Sequence, residues 1–263
     1  MIPGIIPLDA GGYTSPGVDD FKFDAFIEGW PDWLNRPFIQ AVIGAILVII
    51  LWWWASRNLK VKPTRGQFFA EYFYEFVRNG IARDILRHEY RRYVPYLLGL
   101  FSFILINNWF GQLFVFMYPT LSNIGYVYGL AVLSWFVYVG AGFAKFGMGF
   151  LKRSLIPEGV PLYLLPIVMP LEFLATFITR PVTLALRLFA NMFAGHLVVM
   201  VFVIGGGYLL TVQDNLFYNV SGAVSIIFSF AILFLELFIG AIQAYIFTIL
   251  TAQYVSTSIS EAH

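Results

Sequence analysis

The chain contains no cysteine. That excludes a disulfide framework, a thiolate nucleophile and every cysteine-based metal site. Charge is almost as scarce: only 12% of the 263 residues are Asp, Glu, Lys or Arg, and they leave a net charge of +1. A chain so nearly neutral has no electrostatic footprint for nucleic acid. The three histidines, His88, His196 and His263, stand far apart, so no metal-ligand spacing is present. There is no Gly-rich phosphate loop or Walker-type sequence, and nothing calls for a metal or cofactor. The first residues lack the basic-then-apolar pattern of a signal peptide. Short alternating segments of the barrel kind are missing too.

What is abundant is apolar sequence. Hydrophobic residues make up 59% of the chain, and the mean hydropathy is +0.76. Several apolar runs exceed the roughly 20 helical residues that cross a bilayer. The fold class is therefore an all-α polytopic membrane protein, with five crossings and one interfacial amphipathic helix. Residues 1–35 are polar and acidic, with Asp9, Asp19, Asp20, Asp24, Glu28 and Asp32 against Lys22, and they read as an irregular segment outside the membrane. The membrane domain is expected over 36–263.

The first crossing spans about Pro37 to Ala55 and ends at Trp52, Trp53 and Trp54, just before Arg57. Aromatics followed by a cation mark a membrane–water interface. Residues 57–92 hold nine of the sixteen Lys and Arg residues. Within this loop Thr64 is placed to cap a helix that carries Phe69, Tyr72, Phe73, Phe76, Val77 and Ile81 on one side, the pattern of an interfacial amphipathic helix, with a short soluble helical loop as the alternative. Further crossings are expected at about Tyr93–Tyr118 and Ile124–Phe146, with a turn at Tyr118–Asn123. Two longer apolar segments follow, about Leu162–Ile204 and Phe217–Ile259, separated by "GGGYLLTVQDN". The 57–92 and 145–153 loops are basic, whereas 118–123 and 205–216 carry no Lys or Arg. The positive-inside rule then predicts the N-terminus outside and the C-terminus in the cytoplasm.

The last two segments are too long for one upright crossing. Forty-odd helical residues span ~65 Å at ~1.5 Å each, against a hydrocarbon core of ~30 Å. Phe217–Ile259 contains no proline and no polar turn at which it could fold back. A steeply tilted helix pair over 162–259, braced by another protein, is the expectation.

These two segments bury Glu172, Arg180, Arg187, Asn191, His196, Glu236 and Gln243. Arginine at membrane depth costs at least ~2.5 kcal/mol on insertion scales, so such groups face a partner or water rather than lipid. Arg187, Asn191 and Ala194 share one helical face, whereas His196 lies about half a turn away from Arg187. Glu236 and Gln243 share a face of the last helix. Two readings stay open from periodicity alone. Arg187 either pins helices together by pairing with Glu236 or Glu172, or it faces something outside the chain. Arg180, before Pro181, reads as a structural cation, and Glu172 serves equally well as a helix-end or a proton-path residue. Arginine effectively never deprotonates, while histidine and glutamate exchange protons when their surroundings shift them. A fixed cation beside two titratable groups suits a path that protons enter but must not run straight through.

The stretch "RPVTLALRLFANMFAGH" (Arg180–His196), followed by "LELFIGAIQAYIFTILTAQY" (Leu235–Tyr254), resembles the subunit a family of F-type ATP synthases. The resemblance covers most of the chain beyond about residue 90. It implies a proton-translocating stator subunit with no enzymatic activity by itself; the absence of a targeting peptide favours a bacterial plasma membrane. The implied partners are the c-ring, the peripheral-stalk subunit b, other ATP synthase subunits and membrane lipid. It makes Arg187 the essential arginine opposite the c-ring carboxylate. Asn191 and Gln243 match the family's asparagine and glutamine near that arginine, and His196 and Glu236 match two positions of the outer proton half-channel. Here the histidine comes first and the acid second, the reverse of some members. The family's N-x-x-G-x-x-P run keeps Asn108 and Gly111 but has Phe114 at the proline position. Its Pro-Thr-x-Asp turn reads Pro119-Thr120-Leu121-Ser122, so a carboxylate is missing from the outer lining. Ser122, Asn123, Asn107 and Asn108 are the polar residues left there to hold water. A secondary ion transporter with its own substrate site is the alternative, but no repeated half of the transporter kind is found. A purely structural subunit with its charges in ion pairs is a further one.

Overall fold

A computed structural model describes residues 15–21, 31, 34–57, 59–112, 119–156, 161–212 and 216–260. The described residues are overwhelmingly helical, with no strand among them. Five helical stretches are long and apolar enough to cross a membrane. Most of the 1–35 segment lies outside the described residues, as do Tyr118 of the expected turn and the segment 213–215.

Helix α1 (Arg36–Arg57) matches the first expected crossing. At its start the Asn35 side chain accepts from Phe38 N–H at 3.1 Å and from the Tyr126 hydroxyl at 2.7 Å. The three tryptophans at its end divide their tasks. Trp52 donates to Ser102 at 3.0 Å, Trp53 lies under the Arg57 guanidinium at 4.2 Å, and Trp54 is exposed.

Helix α2 (Arg65–Val77) is capped by Thr64, whose hydroxyl accepts from Gln67 N–H at 3.4 Å. The helix runs on through a widened π segment (Arg78–Arg83) into the short α3 (Asp84–Leu86). The chain then turns at Arg87, which has a positive φ of 50°, and α4 (Tyr90–Gln112) packs back against α2 and the π segment. The apolar side of α2 is split by this packing. Phe73 and Phe76 meet Phe101 of α4 at 5.1 and 5.9 Å, and Val77 and Ile81 are fully buried. Phe68, Phe69 and Tyr72 remain exposed.

Helix α5 (Ile124–Phe146) has the bounds expected for the third crossing and is capped by Asn123. Its last turn carries Lys145, which binds Glu89 at 2.9 Å and so ties the two basic loops together at one end of the bundle. The short α6 (Gly149–Leu155) follows, and its Phe150 fills the space beside Gly142.

The long segment from residue 162 is not one regular helix. α7 (Leu165–Phe173) passes into a π segment (Leu174–Thr179) and then α8 (Arg180–Val212). Pro181 accounts for the break. In the wide turn Arg180 N–H bonds Ala175 C=O, five residues back, so Thr176 C=O would next need an N–H from residue 181, which proline lacks. The buried Tyr138 hydroxyl of α5 donates to that carbonyl instead, at 2.8 Å.

Sequence reading placed "GGGYLLTVQDN" as a separator, but α8 continues through Gly205–Gly207 to Val212. Glycine weakens a helix by about 1 kcal/mol relative to alanine. Here it permits a close approach: a Cβ on Gly222 would stand 2.8 Å from Gly206 C=O and 3.1 Å from Leu210 N. The two helices pack backbone to backbone at this tip, which offsets the weak propensity. α9 (Leu216–Ile259) is a single uninterrupted helix of 44 residues, ~66 Å long. Its outward side, including Ile227, Phe234 and Phe238, is exposed and apolar.

Candidate functional site

Helix α8 has two different sides. Arg187, Ala190 and Ala194 lie on an exposed side with Leu186 and Val198. The opposite side, with Leu184, Ala185, Leu188, Met192 and Val199, is buried. His196 belongs to this buried side, at 7% exposure. Asn191 is half-buried between the two. Among the described residues no ion pair joins Arg187 to Glu236 or Glu172.

Glu236 of α9 is also buried, at 9% exposure. Gly195 makes room for it: a Cβ there would overlap the Glu236 carboxylate. Because Gly195 adjoins His196, the carboxylate and the imidazole come to the same level along α8. His196 Nδ1 is buried without a hydrogen-bond partner. Its ring is edge-on to Phe21 at 6.0 Å, and Phe21 also packs on Phe193 at 4.5 Å. The turn Val18–Phe21 of the N-terminal segment therefore lies against the His196 side of α8, a contact no local pattern announced.

The antiparallel α4 closes the third side. Asn108 Nδ2 donates to Gly240 C=O at 2.9 Å, and Trp109 Nε1 donates to Leu237 C=O at 3.1 Å. Gly240 is one turn after Glu236, and Gln112 is one turn after Asn108. The antiparallel register thus puts Gln112 at the level of Glu236. Gly111 faces Met192, one turn before His196, and Pro119 of the following turn. Gln112 and Thr120 are buried, and Gln112 Nε2 and Thr120 Oγ1 have no hydrogen-bond partner. Neither residue was singled out from the sequence. Both are polar residues beside the turn where the family carboxylate is missing, but a polar residue near a turn carries no signal of burial on its own.

The other polar residues of this region are more committed. Ser122 is buried and donates to Pro119 C=O at 2.7 Å. Asn123 caps α5 by accepting from Gly125 N–H at 3.0 Å. Asn107 donates within its own helix to Phe103 C=O at 2.9 Å, leaving its Oδ1 unpaired beside Gly44 of α1. Gln243 is half-buried on α9, beside the buried stripe of Glu236, Gly240 and Ala244. Glu172 is half-buried on α7, and no hydrogen bond or ion pair joins it to His196 or Glu236 among the described residues. Arg180 lies over the Tyr254 ring at 5.2 Å, in keeping with a structural cation.

A buried acid and a buried imidazole thus stand at one level of the bundle with unpaired polar groups, while a permanent cation lies on the exposed side of α8. Comparisons with known proteins give the family. A family model described as ATP synthase A chain matches residues 38–256. A protein from a Nocardioides species, named ATP synthase subunit a, is 42% identical over 97% of this chain and 96% of its own length. A Paenarthrobacter aurescens protein of the same name is 38% identical over 97% of each chain, and one from Streptomyces lividans is 34% identical over 97% of this chain and 91% of its own. With its apolar spanning helices and this match over nearly its full length, the chain belongs to the ATP synthase subunit a family of multi-pass membrane proteins.

Proposed function

We propose that this chain guides protons to and from carboxylates on a rotating c-ring through two separate aqueous half-channels. The carrying observation is the two-sided α8, with Arg187 on the exposed side and His196 on the buried side, at the level where Gly195 admits the buried Glu236 of α9. Protons enter from outside by way of the Glu236 and His196 level. Each neutralises a c-subunit carboxylate, which can then face lipid without the burial penalty of a charge. Rotation brings it to a second half-channel open to the cytoplasm. Arg187 stabilises the deprotonated carboxylate at the interface, supported by Asn191 and Gln243, and its fixed charge blocks direct leakage between the half-channels. The driving force is about 2.3 kcal/mol per proton per 100 mV of membrane potential.

This reading accounts for the length of α8 and α9, which lie steeply tilted along the curved ring over the 162–259 region. It also accounts for an arginine that forms no ion pair among the described residues: the partner carboxylate supplies the counter-charge. The peripheral-stalk subunit b is the expected partner that holds the chain against rotation. The test is Arg187→Ala in the assembled complex, with ATP-driven pumping and passive proton conductance measured in proteoliposomes. Coupled pumping should fall to background while the complex stays assembled; normal coupled pumping would sink the assignment.

A further inference from the structure

A second polar cluster lies away from the proton path, where the end of α2 meets the start of α4. Tyr74, Arg78, Tyr90 and Arg91 line a cleft of about 450 Å³ whose wall continues into Val94, Pro95 and Leu98. We propose that this cleft binds one anionic phospholipid, its phosphodiester between Arg78 and Arg91 and an acyl chain along α4.

The polar end is built around one phenol. Arg78 Nη2 and Arg91 Nε both donate to the Tyr90 hydroxyl, each at 3.4 Å. Both guanidinium groups also lie over the Tyr90 ring, at 5.8 and 6.0 Å, and Arg78 lies over Tyr74 at 6.0 Å. Among the described residues neither arginine forms an ion pair, although Glu75 stands on the same helix. Two like charges therefore converge on one neutral oxygen, with most of their planar donors unspent. An anion that bridges them removes the repulsion, and guanidinium donors match phosphate oxygens in pairs.

The rest of the cleft says what carries the phosphate. Tyr90, Arg91, Val94, Pro95 and Leu98 descend one side of α4, about 12 Å from first to last by helical rise. Cations stand at the top and aliphatic carbon below, the order of a lipid headgroup above its chain. Pro95 is exposed, while Val94 and Leu98 form a buried floor. The neighbouring outer side of α2 is apolar, with Phe68, Phe69 and Tyr72 exposed. Free phosphate needs none of this apolar continuation. The surrounding 57–92 segment carries nine cations against four acids, and basic segments at a membrane surface attract anionic lipid.

The test uses the whole ATP synthase complex in nanodiscs of phosphatidylcholine containing one-tenth phosphatidylglycerol. Phosphatidylglycerol retained per complex is counted by native mass spectrometry after exchange into pure phosphatidylcholine. R78Q/R91Q should lose one tightly retained lipid, a tenfold or greater fall in occupancy. K152Q/R153Q, which removes equal charge from the other basic loop, should keep it. Orthophosphate at 10 mM should not displace the lipid from the unaltered complex. In an otherwise unaltered chain, a photo-crosslinking residue at Tyr74 should capture phosphatidylglycerol. Equal retention in both double variants, displacement by orthophosphate, or capture of a polypeptide at position 74 would each overturn the proposal. None of these readouts depends on proton flux, so the half-channel reading stands or falls separately.

Discussion

At the scale of single residues, the site rests on one missing side chain. Gly195 leaves the space that the Glu236 carboxylate occupies, so even a methyl group there must push the acid out of place. Gly195→Ala is expected to lower proton flux at least tenfold with the complex still assembled, as read by fluorescence quenching in vesicles. Gly207→Ala, where an added Cβ meets nothing within 4 Å, is the matched control and should be silent. Gln112 and Thr120 present unpaired buried groups near the same level, and such groups are satisfied by water when space allows. Replacing both with apolar residues of similar volume, Gln112→Leu with Thr120→Val, removes that polarity while keeping the packing. Proton-driven ATP synthesis should fall several-fold while complex yield holds; unchanged synthesis would remove both residues from the path. The glutamate, the histidine and the arginine could be read from their cost in an apolar run. Gln112 and Thr120 could not, because a polar residue near a turn is ordinarily solvated.

Single elements show where local pattern sufficed and where it did not. The Thr64 cap, the aromatic-to-cation end of α1 and the bounds of α5 all follow from signals within a few residues. The continuation of α8 through three glycines does not. Glycine opposes a helix locally, and only the facing Gly222 on α9 makes the close approach worthwhile. Gly222→Leu must displace Gly206 or Leu210 backbone, with an overpacking cost of about 1–3 kcal/mol. The expected result is reduced recovery of the subunit in the purified complex or a lower melting temperature, whereas Gly99→Leu, in open space, should match the unaltered chain. The π segment at Leu174–Thr179 has the opposite history. Pro181 announces a lost hydrogen bond in the sequence, yet the partner that repairs it, Tyr138, comes from another helix.

For the whole molecule, the orientation expected from the basic loops, with the N-terminus outside and the C-terminus in the cytoplasm, is open to direct measurement. The chain has no cysteine, so each introduced thiol is unique. Val61→Cys and Lys152→Cys should react with an impermeant maleimide from the cytoplasmic side of sealed vesicles. Ile124→Cys, at the other end of α5, should react from the opposite side; reversed labelling would refute the topology. The amino-acid sequence by itself determined the all-helical membrane class, the spanning segments and the residues too costly to bury without purpose. These depend on local hydropathy and on the price of a charge in lipid, both readable along one strand of sequence. Only the tertiary structure decided which of those residues share an interface. Side-chain proximity between α4, α8 and α9 depends on register between segments more than forty residues apart, set by glycine gaps and interhelical hydrogen bonds. Helical periodicity separates Arg187 from His196 on one helix, but only the packing of Gly195 against Glu236 brings the acid to the level of the histidine.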